Sequence, residues 1–137
     1  MAVNYDIPML FSDKYINGLE QILNTGNDKI KSVYGSARVG TIGQARYSEK
    51  IPKLEIGELQ NFVAKIHNFK INSHYTLNSS WTDLKERKSQ YKAQIISDLR
   101  TLIDIGIDDF IVANPYLISL IKDNFSGIGI IASINFQ

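Results

Sequence analysis

Short apolar segments alternate with amphipathic stretches along the whole chain, and this alternation is the feature that most limits the possible folds. The predicted strands are residues 4–9, 29–34, 71–77, 109–113 and 128–134. A helical pattern fills each interval between them, so the predicted order is β-α-β-α-β-α-β-α-β. Strands joined through helices run parallel, and their crossovers are right-handed. The sequence therefore predicts an α/β protein with a parallel sheet.

Local signals mark where the helices begin and end. Ser12 is a good N-cap for the first helix, and Thr82 or Asp83 for the third. Pro115 suits the first turn of the fourth helix, and Gly106 suits the position just after the third. The second helix is expected over residues 56–69.

Two parallel architectures fit this pattern in one domain covering residues 1–137. A closed eight-stranded barrel needs roughly 250 residues, so this length suits its N-terminal half, four βα units and a fifth strand. A compact five-stranded doubly wound sheet is the alternative, and it would be complete at this length. Strands that are apolar on both faces, such as 128–134, agree with a sheet covered by helices.

Composition excludes several classes of function. The net charge of +1 gives no electrostatic basis for binding nucleic acid or an anionic membrane. With no cysteine, the chain offers no disulfide, thiolate zinc site or iron–sulfur ligand. No signal-peptide pattern and no apolar run near the roughly 20 residues of a membrane span is present. We therefore expect a cytoplasmic protein with no membrane contact, no metal and no cofactor held within this chain.

Four segments together resemble the N-terminal part of the U32 peptidase-like proteins, a family named for collagenase-like proteases. The residues that carry the resemblance are Val33-Tyr34-Gly35-Ser36 with Gly43 and Arg46, His74-Tyr75-Thr76-Leu77-Asn78-Ser79, Ile105-Gly106-Ile107-Asp108 leading into Val112-Ala113-Asn114-Pro115-Tyr116-Leu117, and Ile130-Ile131-Ala132-Ser133. They cover nearly the whole chain in order. His74 departs from the pattern, in which asparagine is expected.

The resemblance implies a TIM-barrel-like catalytic domain that binds or processes a peptide or another carbonyl-bearing substrate. Some relatives instead carry out oxygen-independent hydroxylation with iron–sulfur cysteines, so a hydroxylase relative is an alternative. A non-catalytic or split-barrel subunit, completed by self-association or by a complementing half, is another. Whether this chain is an enzyme stays open at this point.

Candidate binding residues follow from the rule that ligands of parallel βα folds bind at the carboxyl ends of the strands. That rule and the resemblance together select Tyr34, Arg38, Arg46, Asn78, Asn114 and Ser133. The arginines could bind a carboxylate or phosphate, although a solvated surface loop would also explain them. Asn114 could contact a ligand, but capping the fourth helix alone would explain it.

A catalytic group is harder to assign. His74 is a weak candidate for a general base, and a histidine hydrogen-bonded inside the sheet is the simpler explanation. His74 and Thr76 should share one face of the third strand, with Tyr75 and Leu77 on the other. Ser133 lacks the sequence context of a nucleophile, and His67, on the second helix, has no assigned role.

Overall fold

The computed structural model describes residues 3–26, 29–37, 51–78 and 89–133. Five strands alternate with four helices along these residues. The elements in chain order are β1 (Asn4–Pro8), α1 (Asp13–Thr25), β2 (Lys29–Gly35), α2 (Ile56–Asn68), β3 (Asn72–Leu77), α3 (Ser89–Asp104), β4 (Asp109–Val112), α4 (Pro115–Asn124) and β5 (Gly129–Ala132). The predicted order of elements is confirmed.

The helix signals in the sequence act largely as expected. The Ser12 hydroxyl accepts a hydrogen bond from the backbone nitrogen of Tyr15 at 3.2 Å, which caps α1. Pro115 is the first residue of α4, and Gly106, just beyond α3, has a φ of +104°. The predicted caps Thr82 and Asp83 lie outside the described residues.

The strands form one sheet in the order β1-β2-β3-β4-β5, and every neighbouring pair is parallel. A doubly wound sheet reverses its strand order at a switch point, and this sheet has no reversal. The compact doubly wound alternative is therefore wrong. Sequential parallel strands with right-handed crossovers place all helices on the same face, as in a TIM-type barrel.

The hydrophobic core lies between the sheet and these helices. We call this helix-covered side of the sheet the outer face. Tyr75, Phe110 and Val33 are fully buried there, each with 0% of its surface exposed. They pack in two clusters with helix residues such as Leu59 and Leu99. Tyr75 and Leu77 thus lie on the outer face, as predicted for β3.

The opposite side of the sheet, the inner face, carries three rows of side chains set by the strand register. The lower row is Asp6, Ser32 and Asn72; the middle row is Pro8, Tyr34, His74, Asp109 and Gly129; the upper row is Thr76, Ile111 and Ile131. A register shift between Tyr5 and Asp6 brings Asp6 beside Ser32, whose hydroxyl donates to its carboxylate at 2.5 Å. Polar side chains predominate in the lower two rows, and the upper row is mainly apolar.

Within the described ranges, no helix has the length and apolar character needed to cross a membrane.

Candidate functional site at the carboxyl edge of the sheet

Three of the predicted binding residues follow directly on strands, at the edge where the carboxyl ends of all five strands meet. Asn78 comes immediately after β3, Asn114 two residues after β4, and Ser133 immediately after β5. The backbone nitrogen of Ser133 donates to the carbonyl of Val112 at 2.9 Å, which extends the β4–β5 ladder by one residue. The fold therefore brings these side chains to the same edge of the sheet.

Asn114 acts as the N-cap of α4. Its Oδ1 accepts hydrogen bonds from the backbone nitrogens of Tyr116 at 2.9 Å and Leu117 at 3.4 Å. The residue is buried, at 9% exposure. The structure thus confirms that Asn114 caps α4, which is the simpler explanation of this residue.

Tyr34 lies within β2, as the predicted strand 29–34 has it, and in the middle row of the inner face. The pKa of the nearby Tyr15 phenol is raised to about 12, mainly by burial and also by Tyr34. Tyr15 donates its hydroxyl proton to the carbonyl of Pro8 at 2.8 Å.

The loop after β2 begins at a tight contact with β3. The Tyr75 hydroxyl donates to the carbonyl of Ala37 at 2.7 Å and accepts from its backbone nitrogen at 3.3 Å. Burial raises the pKa of Tyr75 to about 12. Arg38 and Arg46, the predicted anion-binding residues, lie outside the described residues.

His74 lies inside the sheet, beside an acidic partner. Its Nε2 is 3.1 Å from Oδ2 of Asp109, and the two side chains are 9% and 28% exposed. His74 lies three positions before Leu77, the last residue of β3, which is about 10 Å at the usual rise per residue. His74 therefore lies deeper in the inner face than Asn78, Asn114 and Ser133.

Asp109 was not selected from the sequence. It precedes residues 110–113, whose run of apolar side chains predicts a strand that is apolar on both faces. The structure shows alternation instead, since Phe110 and Val112 are buried while Asp109 and Ile111 are half-buried. A carboxylate at the first position of a strand, on the same face as a neighbouring histidine, is the signal that could have identified it.

The other histidine belongs to a cluster at the amino ends of the strands. Oδ2 of Asp108 is 2.8 Å from Nε2 of His67, and it accepts from the backbone nitrogen and hydroxyl of Ser73 at 2.7 and 3.2 Å. Ser73 is fully buried. The Ser73 hydroxyl also lies 3.4 Å from the same Nε2 of His67 and 3.3 Å from the carbonyl of Gly106. Serine and acid thus meet the same ring nitrogen, whereas a nucleophilic triad uses a different ring nitrogen for each. The cluster joins α2, β3 and the segment before β4.

Metal-binding groups of three or more histidine or acidic side chains are not found in the ranges that the structure describes.

Comparison with known proteins bears on the fold. No family model matches the sequence, and no curated protein matches it. A solved structure of the U32 peptidase Mk0906 superposes with a TM-score of 0.67 at 15% sequence identity. The match covers 97% of this chain and 49% of that one, so the chain spans about half the length of the matched structure. The chain therefore resembles the U32 peptidases in structure, and its fold is that of a partial barrel found within one of them.

Proposed function

We propose that this protein is a U32 peptidase-like domain that binds a peptide or another carbonyl-bearing substrate at the carboxyl edge of its sheet. The observation that carries the proposal is the structural match to a U32 peptidase over 97% of the chain. In parallel βα folds this edge is the usual place for ligands.

The side chains at the edge suit a carbonyl ligand. Asn78 and Asn114 contribute amide donors, and Ser133 contributes a hydroxyl. Tyr34, in the middle row below them, adds a phenolic donor. A peptide in extended conformation presents a carbonyl at every residue, so several donors along one edge could be used together.

Binding is tested by adding gelatin-derived peptides to the isotope-labelled full-length protein and following its amide signals by NMR. Asn78→Ala should weaken binding about tenfold, the effect of losing roughly 1.4 kcal/mol of hydrogen bonding. Asn68→Ala is the matched control, because Asn68 ends α2 on the amino-terminal side of the sheet. Equal affinity of the two variants would overturn the proposed location.

Cleavage of the bound peptide is the finer form of the same proposal. It would require a general base, and His74 on the inner face is the candidate, since the other histidine, His67, lies at the amino ends of the strands. Gelatin incubated with the wild-type protein should give fragments, and His74→Ala should abolish them. If gelatin binds to the protein but stays intact, the protein has a binding role only.

A second candidate function is assembly of the barrel with complementing strands. In the described sheet, β1 and β5 each pair with a single strand, and unpaired edges can recruit further strands. Ile131 on the inner face of β5 is 40% exposed, and Leu10 after β1 is 62% exposed. Light scattering should then show self-association, or association with a complementing half. Ile131→Lys should weaken it, and a strictly monomeric wild-type protein without a binding partner would contradict it.

A further inference from the structure

The middle row of the inner face combines three polar side chains from three adjacent strands. Tyr34 pairs in register with His74, His74 with Asp109, and Asp109 with Gly129. Neighbouring strands lie about 4.8 Å apart, so side chains in one row are in reach of each other. The interior layers of TIM-type barrels are dominated by branched apolar side chains. This row departs from that rule, whereas Ile111 and Ile131 of the upper row follow it.

Burial of the His74–Asp109 pair has an energetic cost. Only 9% of the histidine side chain is exposed, and its Nε2 is 3.1 Å from the carboxylate of Asp109. Taking a carboxylate and an imidazole out of water costs free energy, and well-packed apolar side chains of similar volume avoid that cost. Stability alone is therefore a poor explanation of this pair.

Gly129 makes the position of the carboxylate possible. A β-carbon added to Gly129 would lie 2.8 Å from Cγ of Asp109 and still closer to Oδ1. The Asp109 side chain thus occupies the space that any other residue at 129 would fill. The backbone of Gly129 is not in the left-handed region, so conformation does not require glycine there. A side chain at 129 would therefore displace the Asp109 carboxylate from its observed position.

We propose that Asp109 is a positioning residue for His74, that Gly129 supplies the space for it, and that His74 with Tyr34 forms the inner wall of the peptide site. The Asp109 carboxylate, 3.1 Å from Nε2, holds the imidazole ring in place on the inner face. There His74 hydrogen-bonds to the peptide group of a ligand whose outer part is held at the carboxyl edge. The ligand contact rests on the proposed function; the positioning does not.

The positioning is tested in the full-length protein by nitrogen-15 NMR of the imidazole rings. The chain has only two histidines, so His74 and His67 are readily distinguished. In the wild type, the Nε2 proton of His74 should exchange slowly with water. Both Asp109→Ala and Gly129→Ala should remove this protection, although only the first deletes the carboxylate. Gly57→Ala is the matched control, because a β-carbon there meets nothing within 4 Å.

Protection that persists in Gly129→Ala would overturn the role of that glycine, and protection that persists in Asp109→Ala would overturn the positioning. The His67 signals should be unchanged in both variants, which separates a local effect from a general loss of structure. Asp109→Asn, which keeps the shape of the side chain, serves if either variant fails to fold. Charge-assisted hydrogen bonds are roughly twice as strong as neutral ones, so exchange should still become faster.

The ligand contact is tested by adding gelatin peptides to the same labelled protein. Peptides should shift the ring nitrogens of His74 and the side-chain amide of Asn78 in the wild type. In Gly129→Ala, only the Asn78 response should remain. A wild-type response at Asn78 without one at His74 would overturn the ligand contact and leave the proposed function standing. Response at neither residue would count against both, while the exchange data still decide the positioning.

Discussion

Tyr75 and Ala37 are bound to each other twice, through the phenolic oxygen of one and both backbone polar groups of the other. The hydroxyl donates to the Ala37 carbonyl at 2.7 Å and accepts from its nitrogen at 3.3 Å. Both residues are buried. This double contact fixes the start of the loop after β2 against β3, and that loop leads toward the predicted arginines.

Tyr75→Phe should therefore lower the free energy of unfolding by about 1–3 kcal/mol, because it leaves two buried backbone groups of Ala37 without this partner. Urea unfolding followed by circular dichroism measures the change. Tyr5→Phe is the control, since Tyr5 is 44% exposed and should change little. Equal stability of the two variants would show that the contact contributes nothing net.

Alkaline pH should destabilise the protein through two of its seven tyrosines. The pKa values of Tyr15 and Tyr75 are raised to about 12 in the folded state, chiefly by burial, against 10.0 for an exposed phenol. The contribution of these two phenols to the free energy of unfolding is fully present below pH 10, where both phenols are neutral in the folded and in the unfolded state. It is lost as pH rises toward 12, because the unfolded chain ionises first.

An ultraviolet titration of tyrosinate should accordingly show a late-ionising fraction. Tyr75→Phe and Tyr15→Phe should each remove one phenol from that fraction. Tyrosines that all ionise together near pH 10 in the folded protein would contradict the assignment.

Gly106→Ala should destabilise the protein by about 1–3 kcal/mol. Gly106 has a φ of +104°, which side chains rarely adopt, and its added β-carbon would lie 3.1 Å from Cε1 of His67 and 3.2 Å from Cγ1 of Val63. Gly57→Ala, inside α2 with open space around it, should be neutral or stabilising by up to about 1 kcal/mol. Thermal unfolding of both variants measures the difference, and an unaltered midpoint for Gly106→Ala would contradict the steric argument.

Substitutions of Asn114 should separate its capping role from any ligand contact. Asn114→Ala should cost about 1 kcal/mol of stability, since the N-cap of α4 is lost. Asn114→Asp retains the capping oxygen and should keep nearly full stability, yet it replaces the amide donor with an acceptor. Peptide binding should then fall in both variants. Full peptide affinity in stable Asn114→Asp would show that Asn114 only caps the helix.

The sequence by itself determined the order of the elements, because each depends on local chemistry. Apolar residues at helical or strand spacing, the cap at Ser12 and the proline at 115 act over a few neighbouring residues. The two faces of β3 followed from alternation alone, and Tyr75 and Leu77 are buried where alternation placed them. The end of β3 at Leu77, just before Asn78, was predictable for the same reason. β4 and β5 end one and two residues before their predicted ends, so Ser133 follows β5 instead of lying within it.

Only the tertiary structure decided the strand order, because the same βα repeats are compatible with a sequential or a reversed sheet. It also decided which side chains meet across strands. Tyr34, His74, Asp109 and Gly129 lie far apart in the sequence, and the register of three strand pairs brings them into one row. Register depends on how helices pack on the outer face and where a bulge falls, and no local pattern encodes either. The pairing of His74 with Asp109, and the space left by Gly129, therefore became visible only in the folded sheet.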